Sequence, residues 1–127
     1  MRGLLDTSVF IAAEQGRDLA SDRLPDEAAI SIVTLAQLEL GVHLATSERV
    51  LGRRLRTLRA IQATYVALRV DEPVASAFAE LVAIARRAGK RPKVQDAWIA
   101  ATARAHDVPV YTHDADFDDL AVGVVRV

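Results

Sequence analysis

Short apolar runs and helix-period stretches alternate along the chain. Residues 2–6 (RGLLD) predict a first strand. Asp6-Thr7-Ser8 then supplies N-cap chemistry ahead of VFIAAEQ, and Gly16 ends that short helix. Residues 17–27 are polar, carry Pro25, and read as a loop or a brief helix. AAISIV (28–33) predicts a second strand. From Thr34 to about Thr46 the pattern is helical and apolar on most sides, which predicts a buried helix. Ser47 and Glu48 open the next helix, whose Leu51, Leu55, Leu58, Ile61 and Tyr65 recur at steps of three and four as one apolar stripe, with Arg49, Arg53 and Arg56 as another. VALRV (66–70) predicts a third strand. Asp71 and Pro73 begin a helix that buries Val74, Phe78, Leu81, Val82 and Ala85 and stops at Gly89. After the basic segment RRAGKRPK (86–93), residues 94–107 form a helix rich in small residues, followed by strands at 108–112 and 122–127. This alternation predicts an α/β fold with a mainly parallel sheet covered on both faces.

At 127 residues the chain has the size of one domain, spanning 1–127. Hydrophobic residues make up 51 % and charged residues 26 %, which excludes a disordered segment. Cysteine is absent, so disulfide scaffolds, thiol catalysis and cysteine-bound zinc are excluded, and a reducing cytoplasmic setting is the expectation. No run of 18 apolar residues offers a membrane span, and MRGLLDTSVF lacks the long apolar region of a signal peptide. The net charge of −1 gives no global attraction for nucleic acid.

The candidate chemistry lies at strand ends, where open parallel sheets bind ligands. Asp6 follows the first strand; Asp114 and Asp116 follow the fourth; Asp96 lies in the first turn of the helix before that strand. Taken singly, each has an ordinary explanation: an N-cap for Asp6, a dipole contact for Asp96, turn formation for Asp114 and Asp116. Taken together, they bring carboxylates from three segments to one edge of the fold. Such a cluster repels itself unless a cation neutralises it. Oxygen-only ligands select Mg2+ or Mn2+ over zinc, and these ions serve phosphodiester hydrolysis.

Four segments in order, LLDTSVFIA (4–12), SIVTLAQLELGV (31–42), VQDAWIAATA (94–103) and YTHDADF (111–117), resemble the acidic motifs of PIN-domain ribonucleases, and most of all VapC-type toxins of bacterial toxin–antitoxin pairs. The resemblance implies a PIN-like α/β/α sandwich around a parallel five-stranded sheet. It also implies Mg2+- or Mn2+-dependent endoribonuclease activity on RNA. Asp6 and Asp96 would be the main metal ligands, Asp114 and Asp116 would complete the acidic pocket, and Thr7, Ser8 and Thr112 match the polar positions beside the acids. Family members form homodimers and are silenced by a small VapB-type antitoxin that sends a basic residue into the acidic site.

The second motif departs from the family pattern. Where the family carries Glu four residues before Gly, this chain has Gln37 before Gly41. A carboxamide keeps the size and an acceptor oxygen but not the charge. Three explanations stand: a natural substitution with weaker metal binding, an engineered Glu-to-Gln change, or a different helix register in which Glu39 serves. Gln37 and Glu39 cannot both face Asp6, because two residues turn a helix by roughly 200°.

RNA binding requires cations near the acids, and Arg86, Arg87, Lys90, Arg91 and Lys93 are the candidate phosphate contacts. His43 and His106 read as structural or solvent-facing, while His113 sits beside Asp114 and could touch a phosphate. By analogy with the family, helices spanning about 34–64 form one wall of an antitoxin groove. Two other classes compete. One is a catalytically muted PIN fold that binds antitoxin or RNA. The other is a phosphotransfer domain, which would want a second Asp where Ser8 stands, or a strand-end Lys; the chain's two lysines, Lys90 and Lys93, lie elsewhere.

Overall fold

Five short strands each hand the chain to a helix or loop at the same end of the molecule, and the computed structural model describes all residues 1–127. Strand β1 (Arg2–Leu5) leads into helix α1 (Thr7–Glu14), and β2 (Glu27–Ser31) into α2 (Ile32–His43) and α3 (Glu48–Thr64). The two-residue β3 (Ala67–Leu68) precedes α4 (Glu72–Arg87) and α5 (Val94–Ala105), and β4 (Val110–Thr112) and β5 (Val124–Arg126) close the chain. The sheet order is β3-β2-β1-β4-β5, with every pairing parallel. This is the architecture the alternation predicts, and it places the carboxyl ends of β1 and β4, the central pair, side by side.

Period-two burial explains the layering. Leu4 and Val110 point to one face, where Val74, Leu81, Ile99 and Phe117 bury them. Leu5, Ile30 and Tyr111 point to the other, against Val9, Phe10 and Ile61. Small residues in α5 (Ala97, Ala100, Ala101, Ala103) are all fully or nearly fully buried, and they let α4 approach closely. Gly3 answers a similar demand: a Cβ there would meet the buried Tyr111 ring at 2.2 Å. Gly3→Ala is expected to cost about 2–3 kcal/mol in urea unfolding, by overpacking the central strand; a loss under about 0.5 kcal/mol would show that the ring can move aside.

Helix ends follow local chemistry. Asp71 and Ser47 accept from the amides of Val74 and Val50 (both 3.2 Å), as expected for N-caps. Gly89 ends α4 at φ +74°, with the Lys90 amide reaching back to the Ala85 carbonyl (2.8 Å). Helix α4 runs through Arg87, so only the second part of the basic segment is loop. Helix α5 stops at Ala105, two residues early, because Asp107 takes the left-handed conformation (φ 56°) and the Val108 amide bonds the Ala103 carbonyl. Helix α2 begins earlier than predicted, since Ser31 is its cap and accepts from the Val33 amide (3.0 Å).

The expectation of a buried α2 is overturned. Only Thr34 and Val42 are buried, while Leu40 and Leu44 are 56 % and 63 % exposed. The α3 stripe divides in the same way: Leu58 and Ile61 are buried, and Leu51 and Leu55 are exposed. Helices α2 and α3 pack on each other, and Leu40, Leu44 and Leu51, around the turn that joins them, are left uncovered. No helix is long and apolar enough to cross a membrane.

Candidate active site

Asp6 lies where β1 becomes α1, and it is only 3 % exposed. Its Oδ2 accepts from the Ser8 amide (3.2 Å), so the capping role is real. The same oxygen accepts from the Thr112 hydroxyl at the end of β4 (3.1 Å), which capping does not require. Hydroxyl protons settle the direction of this network. Ser8 Oγ accepts from the His113 amide (2.9 Å), leaving its own proton for Thr112 Oγ1 (3.1 Å), and Thr112 donates onward to Asp6. Thr112 Oγ1 also accepts from the Asp114 amide (3.2 Å), with Asp114 Oδ1 at 3.4 Å. Thr112 thus stands between two carboxylates from separate strand ends.

Asp96 enters from α5. It does sit in the first turn, where the helix dipole favours an acid, but it is turned inward and only 7 % exposed, which a dipole contact does not require. Its Oδ2 is buried with no hydrogen-bond partner. Burial first, then the charges of Asp6, Asp116 and Asp114, push its carboxyl up to about 6, with Lys93 acting in the opposite sense. Burial also pushes Asp6 up; hydrogen bonds from Ser8 and Thr112 pull against that, and the Asp114 charge adds to it. Asp96 thus lies within electrostatic reach of the other three acids, and Asp6 within reach of Asp114.

Asp114 doubles as a turn residue, its Oδ1 accepting from the Asp116 amide (3.0 Å). Asp116 is more open and holds Lys93 Nζ at 3.0 Å. That bond, and the Asp116 charge, raise the Lys93 ammonium above its usual range. Lys93 thus reaches the acids themselves, a contact between loop and turn that sequence spacing does not reveal. Lys90 pairs with Asp119 (3.3 Å), while Arg86, Arg87 and Arg91 are exposed and pair with no carboxylate. His113 is drawn aside, its Nδ1 lying 2.7 Å from the Val127 carbonyl. His43 and His106 are exposed.

Position 37 is resolved by contact. Thr7 Oγ1 donates to Gln37 Oε1 (2.5 Å), with Thr34 Oγ1 as its alternative acceptor at 3.1 Å, so Gln37 reaches the acids through the residue next to Asp6. Glu39 points to solvent, 63 % exposed, and lies 3.8 Å from His43. The register that would bring Glu39 to the site is therefore excluded. No spacing in the sequence points to Glu14, which is largely covered at the end of α1, accepts from Thr57 (2.7 Å) and lies 3.8 Å from Arg53 Nε. This pairing ties Arg53, still 41 % exposed, to α1 and links α1 to α3.

No three His, Asp or Glu side chains are drawn into a ready-made metal cage. The residues nonetheless fit a hard dication. The Asp96 Oδ2 is a buried acceptor with no hydrogen-bond partner, and the three acids that act on it, Asp6, Asp114 and Asp116, offer only oxygen ligands, with the Lys93 ammonium as the one cation nearby. Such a pocket can hold a divalent cation beside a phosphate.

Comparison with known proteins gives matches over nearly the whole chain. The family model for the PIN domain matches residues 3–123. Ribonuclease VapC5 of Mycobacterium tuberculosis is 41 % identical, over 98 % of this chain and 95 % of its own. Among solved structures, a member of the VapBC family of toxin–antitoxin systems, VapBC-5 of the same organism, matches with a TM-score of 0.91 and 37 % identity, covering 99 % of this chain and 98 % of that one. FitAcB of Neisseria gonorrhoeae matches at 0.80 and 31 %, over 98 % and 96 %.

Proposed function

The chain belongs to the PIN-domain family and is of the VapC type, and from that premise we propose that it is a metal-dependent endoribonuclease, the toxin of a toxin–antitoxin pair. The observation that carries this reading is the buried, partnerless Asp96 oxygen among three further carboxylates. Asp6 and Asp96, with Asp114 and Asp116 beside them, would hold Mg2+ or Mn2+. When bound, that ion supplies charge for a phosphoryl oxygen and acidity for a water.

The chain's own residues do the rest. Thr112 fixes the Asp6 carboxylate through the Ser8–Thr112 hydroxyl relay, so its second oxygen keeps one direction. Lys93, held on Asp116, tempers the repulsion at the rim. The unpaired Arg86, Arg87 and Arg91 bring RNA phosphates toward an otherwise negative pocket. Purified protein is expected to cut RNA in manganese and to stop in EDTA. Absence of cleavage with both this chain and Gln37→Glu would favour the muted, binding-only form that the missing charge at position 37 allows.

The relatives named as toxin–antitoxin complexes support a VapB-type antitoxin as partner. The exposed leucines that the sheet leaves uncovered are its proposed seat. A groove of about 270 Å³ opens between α1, α2 and α3, walled by Phe10, Ile11, Leu38 and Leu44, and an amphipathic helix suits it. Leu44→Asp is expected to weaken antitoxin binding at least about tenfold while leaving RNA cleavage intact; unchanged affinity in a titration would place the antitoxin elsewhere.

A further inference from the structure

Around α5 from the acids lies a second cavity, of about 580 Å³, between α4 and the loop that follows it. Its apolar lining is Phe78, Val82, Pro92, Val94 and Ala97, and its cationic rim is Arg86, Lys90 and Arg91. We propose that this cavity is a nucleotide subsite: it takes an unpaired base of the RNA strand against Phe78 while the rim holds the flanking phosphates. The inference rests on the ribonuclease reading and extends it, from phosphate contacts alone to a place where a base is held.

Three observations carry it. Trp98 stacks on Phe78 (ring centroids 3.8 Å apart, 16° between planes), so Phe78 is held rigidly and meets the cavity with its other face or its edge. A fixed aromatic beside cations is the pairing that single-stranded nucleic acid uses. The rim is also available: Arg86 and Arg91 have no carboxylate partner, and only Lys90 is engaged, by Asp119. Position is the third. Val94 and Ala97 face the cavity while Asp96, between them in sequence, faces the acids, so the two sites lie on adjoining sides of one helical turn. A strand whose phosphate enters the acidic pocket would carry a neighbouring nucleotide past this opening. An acidic protein segment could satisfy the rim, but it would have no use for the flat aromatic surface.

The test uses the full chain in EDTA with an eight-nucleotide single-stranded RNA bearing one 2-aminopurine. Manganese-dependent cleavage by the wild type is measured in parallel. Binding should change the 2-aminopurine fluorescence. Phe78→Leu should remove that change and weaken binding roughly tenfold. Arg86→Ala with Arg91→Ala, both exposed and safe for folding, should flatten the slope of log affinity against log salt by about 1.4. Arg49→Ala with Arg56→Ala, on α3, should change neither. If wild type cuts RNA but the Phe78 and arginine variants bind like it, the subsite is overturned and the ribonuclease reading stands. If wild type neither binds nor cuts, both fall. If a glutamate-rich peptide displaces the RNA equally well from wild type and Phe78→Leu, the cavity is a charged patch for an acidic protein, and the proposal is again overturned.

Discussion

Asp96→Asn is expected to lower manganese-dependent RNA cleavage about a thousandfold and, in the same protein, to raise the metal-free melting temperature at pH 7. The first effect follows from losing a buried ligand for an ion that contributes several kcal/mol of charge stabilisation, at about 1.4 kcal/mol per decade. The second follows from linkage. The Asp96 carboxyl is pushed up to about 6 in the folded protein, from a usual value of 3.8. A folded state that holds its proton more tightly than the unfolded chain is penalised as the group ionises. The penalty is absent below about pH 4, grows between pH 4 and 6, and is complete above that. Asparagine carries no charge and escapes it. Allowing for solvent at the pocket mouth, the gain is about 1–2 kcal/mol, or on the order of 5 °C. Melting curves at pH 3.5 and pH 7.5 check the sign: the variant should match wild type at the first and exceed it at the second. A variant less stable at pH 7.5 would mean that the carboxylate supports the fold.

Gln37→Glu is expected to act in the opposite direction on both properties. The residue already reaches the site through Thr7, whose hydroxyl can donate to a carboxylate oxygen as readily as to the amide oxygen. The substitution therefore adds a negative charge with little change of shape. One added negative charge at the rim would favour a bound dication by about a few kcal/mol before desolvation, so a gain of tenfold or more in manganese affinity and cleavage is the expected result. Without metal the same charge joins the repulsion already felt by Asp6 and Asp96, and the variant should melt lower. Titration and melting on one preparation measure both. Equal cleavage by the two proteins would show that position 37 does not contribute to the ion.

Much of this was readable from residue pattern, because the relevant physics is local. Asp71 with Pro73, Ser47 with Glu48, and Gly89 mark helix ends through bonds that span a few residues. The strand-to-helix alternation fixes which ends of β1 and β4 adjoin, and so where Asp6 and Asp114 meet. Misreadings arose where one residue type served two purposes. Ser31 caps α2 although it sits inside an apolar run, and Asp107 adopts the backbone conformation usually left to glycine. Periodicity shows that α2 has apolar sides but not which of them another element covers, and Leu40 and Leu44 lie at the surface. Contacts such as Lys93 with Asp116 and Glu14 with Thr57 join positions 23 and 43 residues apart, and no spacing rule announces them. The resemblance to the family singled out position 37; only the Thr7 bond and the outward-facing Glu39 exclude the alternative register.

The proposed chemistry needs one hard dication shared by acids from three parts of the chain. Manganese titration followed by electron paramagnetic resonance tests this most directly, on wild type and on Asp96→Asn at pH 7.5. A single saturable site in the wild type, weakened at least tenfold in the variant, is the expected result. Identical binding curves for the two proteins would contradict it.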